Sequence, residues 1–224
     1  MIISGTMGVL LGSILWMDRV FMFQFMVSRP MIMAPLIGLV MGDVKIGFIV
    51  GASLELLWLN APPVGAYLPN DESFCAAIAV PVAVNASLTM SDTSAAGMAI
   101  LLSMPFSFVG RSLDMHIRTI NEQLIPITGE VDERDVRSAL RKALGRAFFY
   151  SVISIGASTL LMTTITSLIR DLLPEIILTS LSVMPFACII IGLAALVGKD
   201  IPRRVPTGMF VLGLALVLLL TWIL

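Results

Sequence analysis

The chain has 224 residues, of which 58% are hydrophobic and 13% charged, and its formal net charge is −1. Globular domains average roughly 45–50% apolar and about 25% charged residues, so this composition indicates an integral membrane protein rather than a soluble domain. The apolar runs are long and continuous, as in membrane helices. A nearly neutral chain also lacks the clustered basic surface that nucleic-acid binding requires.

The N-terminal half combines apolar bulk with repeated breaks. Residues 1–17 are uncharged and rich in Gly and Ser, and we interpret them as a retained first membrane segment. The stretch 24–71 is apolar but holds five prolines and five glycines. Because a residue before proline is pushed out of the α region, we expect a break near Arg29. The segment 46–59 is shorter than the ~20 residues of a full span, so we predict broken or re-entrant helices here.

The rest of the chain is predicted to support this half. Two further uncharged runs cover 73–91 and 93–110, and the polar segment 111–146 then holds seven of the fourteen basic residues. We interpret 111–146 as a cytoplasmic connection whose latter part is an amphipathic interfacial helix. The fold prediction is an all-α integral membrane protein, a multi-span helical bundle. It comprises a substrate-binding half (1–110), this connection, and a three-span C-terminal half (147–224) with spans at 147–168, 176–198 and 205–224.

Polar side chains inside the interrupted stretch point to a substrate site. A charge at the bilayer centre costs at least about 2.5–3.5 kcal/mol, so such residues usually pair or line a cavity. Broken backbone at membrane depth likewise persists only where protein or a water-filled pocket satisfies it. Sugars carry hydroxyls that need acceptors and donors in fixed geometry, which carboxylates and amides supply. The candidate sugar-binding residues are Gln24, Arg29, Glu55, Asn60 and Asp71.

Each candidate also has a structural interpretation, which the sequence leaves open. Glu55 could form an ion pair with Lys45 or Arg29, and Arg29 could brace the broken backbone. Asp71 could cap a helix that starts near Ser73. The remaining alternatives are that Gln24 bonds a neighbouring helix, that Asn60 satisfies a turn, and that Asn70 or Glu72 takes the place of Asp71.

Catalysis by this chain alone is not expected. Working nucleotide-binding, serine-hydrolase and zinc-protease motifs are absent from the sequence. The single histidine, His116, lies in the polar connection, where a solvated or interfacial position is the simpler interpretation. Cys75 and Cys188 lie in apolar stretches and are expected to pack as small hydrophobic residues. We therefore predict neither a metal site nor a cofactor.

The spacing of these residues is similar to that of a known family. The shared features are Gln24, Ser-Arg-Pro at 28–30, Gly42-Asp43, Gly47, Gly51, Leu54-Glu55, Gly65-Ala66 and Asp71. In this order they resemble the membrane IIC subunit of the mannose–fructose–sorbose family of bacterial phosphotransferase systems. The resemblance covers roughly residues 8–80. Beyond residue 110 only the layout is similar, namely a polar central loop followed by a hydrophobic C-terminal half. One departure is Asn70, which separates Pro69 from Asp71 where the family often has Pro-Asp.

The resemblance implies a function and a set of partners. Such a subunit lies in the bacterial inner membrane and pairs with a IID membrane subunit to carry a hexose-like sugar. Cytoplasmic IIA and IIB proteins relay phosphate from phosphoenolpyruvate. A homo-oligomer of the IIC–IID unit is compatible with the sequence, which does not fix the oligomeric state. Similar transporters move a core domain against a scaffold. Residue by residue, the resemblance makes Glu55, Asp71 and Gln24 the first sugar contacts, with Arg29 and Asn60 as further ones.

Two other functions are compatible with the residues. Buried carboxylates such as Glu55 can relay protons, which would suit an ion-coupled secondary sugar transporter. A non-transporting regulatory or receptor subunit is the third hypothesis. The sequence does not identify the sugar.

Overall fold

Within residues 2–59, 68–124 and 132–197, which the computed structural model describes, every regular element is an α-helix. The helices are α1 (Ile2–Met17), α2 (Pro30–Met41), α3 (Val44–Trp58), α4 (Glu72–Ala86), α5 (Asp92–Ser103), α6 (Phe106–Glu122), α7 (Glu133–Arg170), α8 (Glu175–Leu181) and α9 (Met184–Val197). The prediction of an all-α bundle with broken helices in the N-terminal half is thereby confirmed.

Helices α2 and α3 form a tight hairpin. Arg29 has extended backbone (φ −62°, ψ 135°) and Pro30 opens α2, as expected for a residue that precedes proline. Gly42 ends α2 in the left-handed conformation (φ 91°), and Asp43 caps α3 by accepting a hydrogen bond from the Ile46 N–H at 3.0 Å. A Cβ on Gly47 would lie 2.5 Å from the Ala34 carbonyl oxygen, so the two backbones pack with no room for a side chain. The two helices of the hairpin are therefore packed backbone to backbone at this point.

Helix α4 lies at the centre of the described bundle. All of its residues from 73 to 83 are buried, and it packs against α1, α2, α3, α5, α6 and α7. A helix that is apolar on every side has no face to present to water, which explains this position. Its many alanines let the neighbouring helices approach closely. The polar start of α4 is consequently held deep between other elements.

The outer helices supply the membrane-facing surface. By length and composition, α7 and the stretch Glu175–Leu196 are apolar enough to cross a membrane, and α5 with α6 would qualify as one broken span bent by 46°. Pro105 lies at that bend and caps α6. Large apolar side chains such as Leu160 and Ile190 remain 71% and 65% exposed. In a membrane protein this surface faces lipid.

Helix α7 differs from the expected interfacial helix. It runs without interruption from Glu133 to Arg170, across position 146. The sequence predicts a boundary between the polar connection and a membrane span at residue 146, and one helix crosses that position because it contains no proline and its two glycines leave the backbone helical. The division into halves at 110 and 146 stays a prediction, and the run 205–224 lies outside the described residues.

Candidate functional site

Asp71 is the most buried charged side chain of the site. It is 0% exposed and precedes α4, where its Oδ1 accepts a hydrogen bond from the Phe74 N–H at 2.8 Å. The same Oδ1 lies 2.5 Å from Arg19 Nη1, and Oδ2 accepts a hydrogen bond from Trp16 Nε1 at 2.7 Å. Both oxygens of the carboxylate are thus engaged by protein donors. The helix cap considered from the sequence is present, together with a buried ion pair that the sequence did not indicate.

Tight packing surrounds this carboxylate. The Trp16 ring is 2% exposed and meets Phe74 edge-on, with 6.1 Å between centroids. A Cβ on Gly110 of α6 would lie 2.5 Å from the Phe74 Cβ and 2.8 Å from the Asp71 Cβ. The backbone also contributes, because the Asp71 N–H donates to the Ser107 carbonyl at 3.0 Å. Helices α1, α4 and α6 therefore fix the Asp71 side chain from three directions.

A second ion pair joins the start of α2 to the end of α3. An Arg29 guanidinium nitrogen contacts Oε1 of Glu55 directly, and the Met31 N–H lies 3.4 Å from Oε2. The Glu55 side chain is 14% exposed, whereas that of Arg29 is 41% exposed. The pair therefore lies at the more accessible edge of the site. The structural alternative of an Arg29–Glu55 pair is present, while Lys45 contacts Asp92 at 2.7 Å instead.

Glu72 links the two ion pairs. Its Oε2 lies 3.4 Å from Arg19 Nη2, and its Oε1 lies 4.0 Å from Arg29 Nη1. Three carboxylates and two guanidinium groups thus form one connected network, defined here as the ion-pair network of Arg19, Arg29, Glu55, Asp71 and Glu72. In a low-dielectric environment such groups must be paired and hydrogen-bonded to remain charged. The network has one more negative than positive formal charge.

The segment from Asp18 to Arg29, which connects α1 to α2, carries one side of the network. Asp18 is 5% exposed and accepts hydrogen bonds from the Phe25 N–H at 2.9 Å and the Ser28 N–H at 3.4 Å. Three non-glycine residues here have positive φ: Phe23 (33°), Gln24 (58°) and Met26 (65°). Such conformations are uncommon and cluster at functional sites. Asp18 holds this strained segment in place.

The structure brings three of the predicted site residues into one network, namely Arg29, Glu55 and Asp71. Gln24 is exposed, and its side-chain amide donates to the Val20 carbonyl at 3.4 Å. Asn60 lies outside the described residues. Sequence reasoning missed Trp16 and Arg19, although a Trp near the end of an apolar run followed by Asp18-Arg19 was an available signal. Glu72, considered only as a substitute for Asp71, is a separate member of the network.

The comparison with known families identifies the class of this chain. The family model described as the sorbose-specific IIC component of the phosphotransferase system matches residues 2–224. The chain belongs to this IIC family. The resemblance found in the N-terminal motifs is therefore confirmed. The chain is a membrane-embedded protein of this family.

Individual relatives agree with this assignment. The mannose-specific EIIC component of Escherichia coli strain K12 is 24% identical over 179 residues, which cover 78% of this chain and 65% of that protein. The chain thus spans about two thirds of the length of that relative. A solved structure described as a membrane protein has a TM-score of 0.68 at 20% identity, over 96% of this chain and 86% of the other. The mannose transporter ManYZ in complex with microcin E492 shares the fold with a TM-score of 0.55 at 19% identity, over the same fractions of the two chains.

Proposed function

We propose that this IIC-family chain is the sugar-translocating permease subunit of a mannose-type, phosphoenolpyruvate-dependent phosphotransferase system. It carries a hexose-like sugar across the bacterial inner membrane together with a IID subunit, and IIA and IIB proteins phosphorylate the sugar. The observation that supports this proposal most directly is the ion-pair network, which places carboxylates at broken helix ends inside an apolar bundle.

Glu55 is the proposed principal sugar contact. A carboxylate can accept about four hydrogen bonds. Arg29 occupies Oε1, whereas Oε2 has the Met31 N–H at the long distance of 3.4 Å. This leaves acceptor capacity for a pair of sugar hydroxyls. The half-exposed Arg29 guanidinium, with Glu72 only 4.0 Å away, is the proposed donor to the same sugar.

Asp71 takes a different role in this proposal. Both of its oxygens are engaged by Trp16, Arg19 and the Phe74 N–H, and the side chain is buried. We therefore propose that Asp71 positions Arg19 and the start of α4, and that it contacts sugar only after rearrangement. Gln24 and Asn60 remain proposed contacts. Gln24 lies on the exposed connecting segment, where its amide is accessible to a substrate.

The partners are proposed from the family. The likeness to the mannose transporter ManYZ supports assembly with a second membrane subunit. Phosphoryl transfer is assigned to IIA and IIB rather than to this chain, whose single histidine, His116, packs edge-on against Tyr150 with 5.8 Å between centroids. The transport unit is proposed to form homo-oligomers.

Sugar binding by a Glu55→Gln variant tests the proposal. Purified complexes with IID are titrated with mannose, fructose, sorbose, glucose and amino sugars. Loss of a charged hydrogen bond costs about 1.5–3 kcal/mol, so the Kd of the bound sugar rises roughly ten- to a hundredfold. Glu133→Gln is the matched control, because Glu133 is also paired with an arginine, Arg137 at 2.6 Å, but is 82% exposed.

The control variant is expected to bind like the wild type. Thermal melting of both variants establishes that they are folded. A Glu55→Gln complex that is folded and binds sugar with unchanged Kd would contradict the role assigned to Glu55. Absence of binding by the wild-type complex across the whole sugar panel would contradict the proposed function itself.

A further inference from the structure

Two cavities lie along the side of the bundle, between α4, α7 and, for the larger one, α1. The larger has a volume of about 550 Å³ and is lined mainly by apolar groups, including Val9, Pro81 and Leu160. The smaller has a volume of about 220 Å³ and ends at Arg170. Both are lined by Asn85 and Thr163, so they meet and form one groove. This α4–α7 groove is separate from the ion-pair network.

The groove contains hydroxyl groups without partners. Thr159 and Thr166 are 8% and 4% exposed, and neither Oγ1 has a hydrogen-bond partner among the described residues. Thr159 lines the larger cavity and Thr166 the smaller one. A buried hydroxyl is unfavourable when it is left unpaired. Neither oxygen is accessible from the groove as it stands. Rotation about χ1 exchanges the positions of the hydroxyl and the methyl group of a helical threonine, and it would present both hydroxyls to an occupant with hydrogen-bond acceptors.

The polar groups of α7 follow one face of the helix. Thr159, Thr163, Thr166 and Arg170 are separated by four, three and four residues, which is the spacing of side chains that stack along one side of a helix. Polarity therefore rises along the groove, from an apolar cavity through hydroxyls to a cation at the helix end. Arg170 is bonded to the exposed Asp171, with Nε 2.9 Å from Oδ1. A guanidinium has five N–H donors, so donors remain for a second anion.

We propose that the α4–α7 groove is a binding site for an anionic phospholipid. An acyl chain fills the 550 Å³ cavity and the phosphate contacts Arg170. The ester carbonyls accept hydrogen bonds from Thr159 and Thr166 once their side chains have rotated toward the groove. The acyl chain, ester carbonyls and phosphate of this lipid follow the same order as the apolar cavity, the threonine hydroxyls and Arg170 along the groove. A sugar is a poorer match, because the mainly apolar lining of the larger cavity offers few hydrogen-bond partners for its hydroxyls. A membrane phospholipid is also the molecule that surrounds this surface in the bilayer.

The test uses the full chain in neutral detergent and two lipids with the same acyl chains, dioleoyl phosphatidylglycerol and dioleoyl phosphatidylcholine. Binding is measured by native mass spectrometry and by the lipid-dependent rise in melting temperature. One arginine near the headgroup predicts an affinity for phosphatidylglycerol about fivefold above that for phosphatidylcholine. Arg170→Gln is expected to remove this preference, and it should weaken binding of phosphatidylcholine less than binding of phosphatidylglycerol, because the choline headgroup already balances the phosphate charge.

Gly156→Leu tests the cavity itself. A Cβ at Gly156 would meet Val9 Cγ1 at an ordinary 3.5 Å, so the larger side chain extends into the cavity and is expected to abolish binding of both lipids. Gly145→Leu is the matched control on the same helix, because a Cβ there meets nothing within 4 Å. The isosteric double variant Thr159→Val, Thr166→Val changes no volume and is expected to weaken lipid binding severalfold.

Two results would overturn the proposal. One is lipid binding by Gly156→Leu equal to that of Gly145→Leu; if Gly156→Leu also loses its association with the second membrane subunit, the groove is a protein interface. The other is equal affinity of the wild type for the two lipids.

Discussion

Replacement of Asp71 by Asn examines how the buried ion pair stabilises the fold. Asn retains an oxygen that can cap the Phe74 N–H, so the helix cap is preserved. The amide nitrogen then faces the Trp16 Nε1–H, and Arg19 loses the charge that lies 2.5 Å from its Nη1. Removal of one partner from a buried pair costs about 3–5 kcal/mol. Because Glu72 stays 3.4 Å from Arg19, we expect the lower end of this range, about 3 kcal/mol.

Thermal unfolding in one detergent, followed by circular dichroism, measures this cost. About 3 kcal/mol corresponds to a fall in Tm of roughly 6–12 °C for a chain of this size. Asp92→Asn is the matched control, because Asp92 is paired with Lys45 at 2.7 Å on the exposed surface. Exposed pairs contribute little to stability, so its Tm should stay close to that of the wild type. Equal falls in Tm for Asp71→Asn and Asp92→Asn would refute the argument that burial makes the Asp71 pair structurally important.

Three further predictions concern packing and the ion-pair network. Gly47→Ala should destabilise the α2–α3 hairpin by about 1–3 kcal/mol in the same melting assay, because its Cβ would approach a backbone carbonyl oxygen at 2.5 Å. Gly145→Ala, in open space on α7, should instead stabilise by about 0.5–1 kcal/mol, and equal signs for the two would contradict this account. Trp16→Phe keeps an aromatic ring but removes the donor to Asp71, so unfolding should become easier by about 1.5–3 kcal/mol; an unchanged Tm would show that the hydrogen bond is unimportant. Arg29→Lys loses the planar fork that reaches both Glu55 and Glu72, so sugar titration should show a Kd about two- to tenfold higher, and an unchanged Kd would separate Arg29 from the site.

The broken helices of the N-terminal half were predictable because their causes are local. Pro30 sets the conformation of Arg29, and Gly42 with Asp43 supplies a C-cap and an N-cap in adjacent positions. The sequence also presented the Arg29–Glu55 pair and the Asp71 cap as alternatives to sugar binding, and both contacts are present. The sugar-binding roles stay predictions, because a carboxylate that is already paired can still accept hydrogen bonds from sugar hydroxyls.

The rest of the site depends on contacts between distant parts of the chain. Trp16 and Asp71 are 55 residues apart, and no local pattern indicates that the end of α1 lies against the start of α4. The sequence predicts helical structure on both sides of residue 146 but does not indicate that it is one helix. Composition changes there from polar to apolar, and composition alone does not end a helix.

Sugar uptake by membrane vesicles distinguishes a sugar-translocating IIC subunit from the alternatives. Vesicles contain this chain with or without a IID subunit, and all receive the soluble phospho-carriers, phosphoenolpyruvate and labelled sugar. We expect phosphorylated sugar to accumulate only when both membrane subunits are present, and most of that accumulation to be lost with Glu55→Gln but not with Glu133→Gln. Accumulation of unmodified sugar driven by a proton gradient, without phosphoenolpyruvate, would contradict the proposed function.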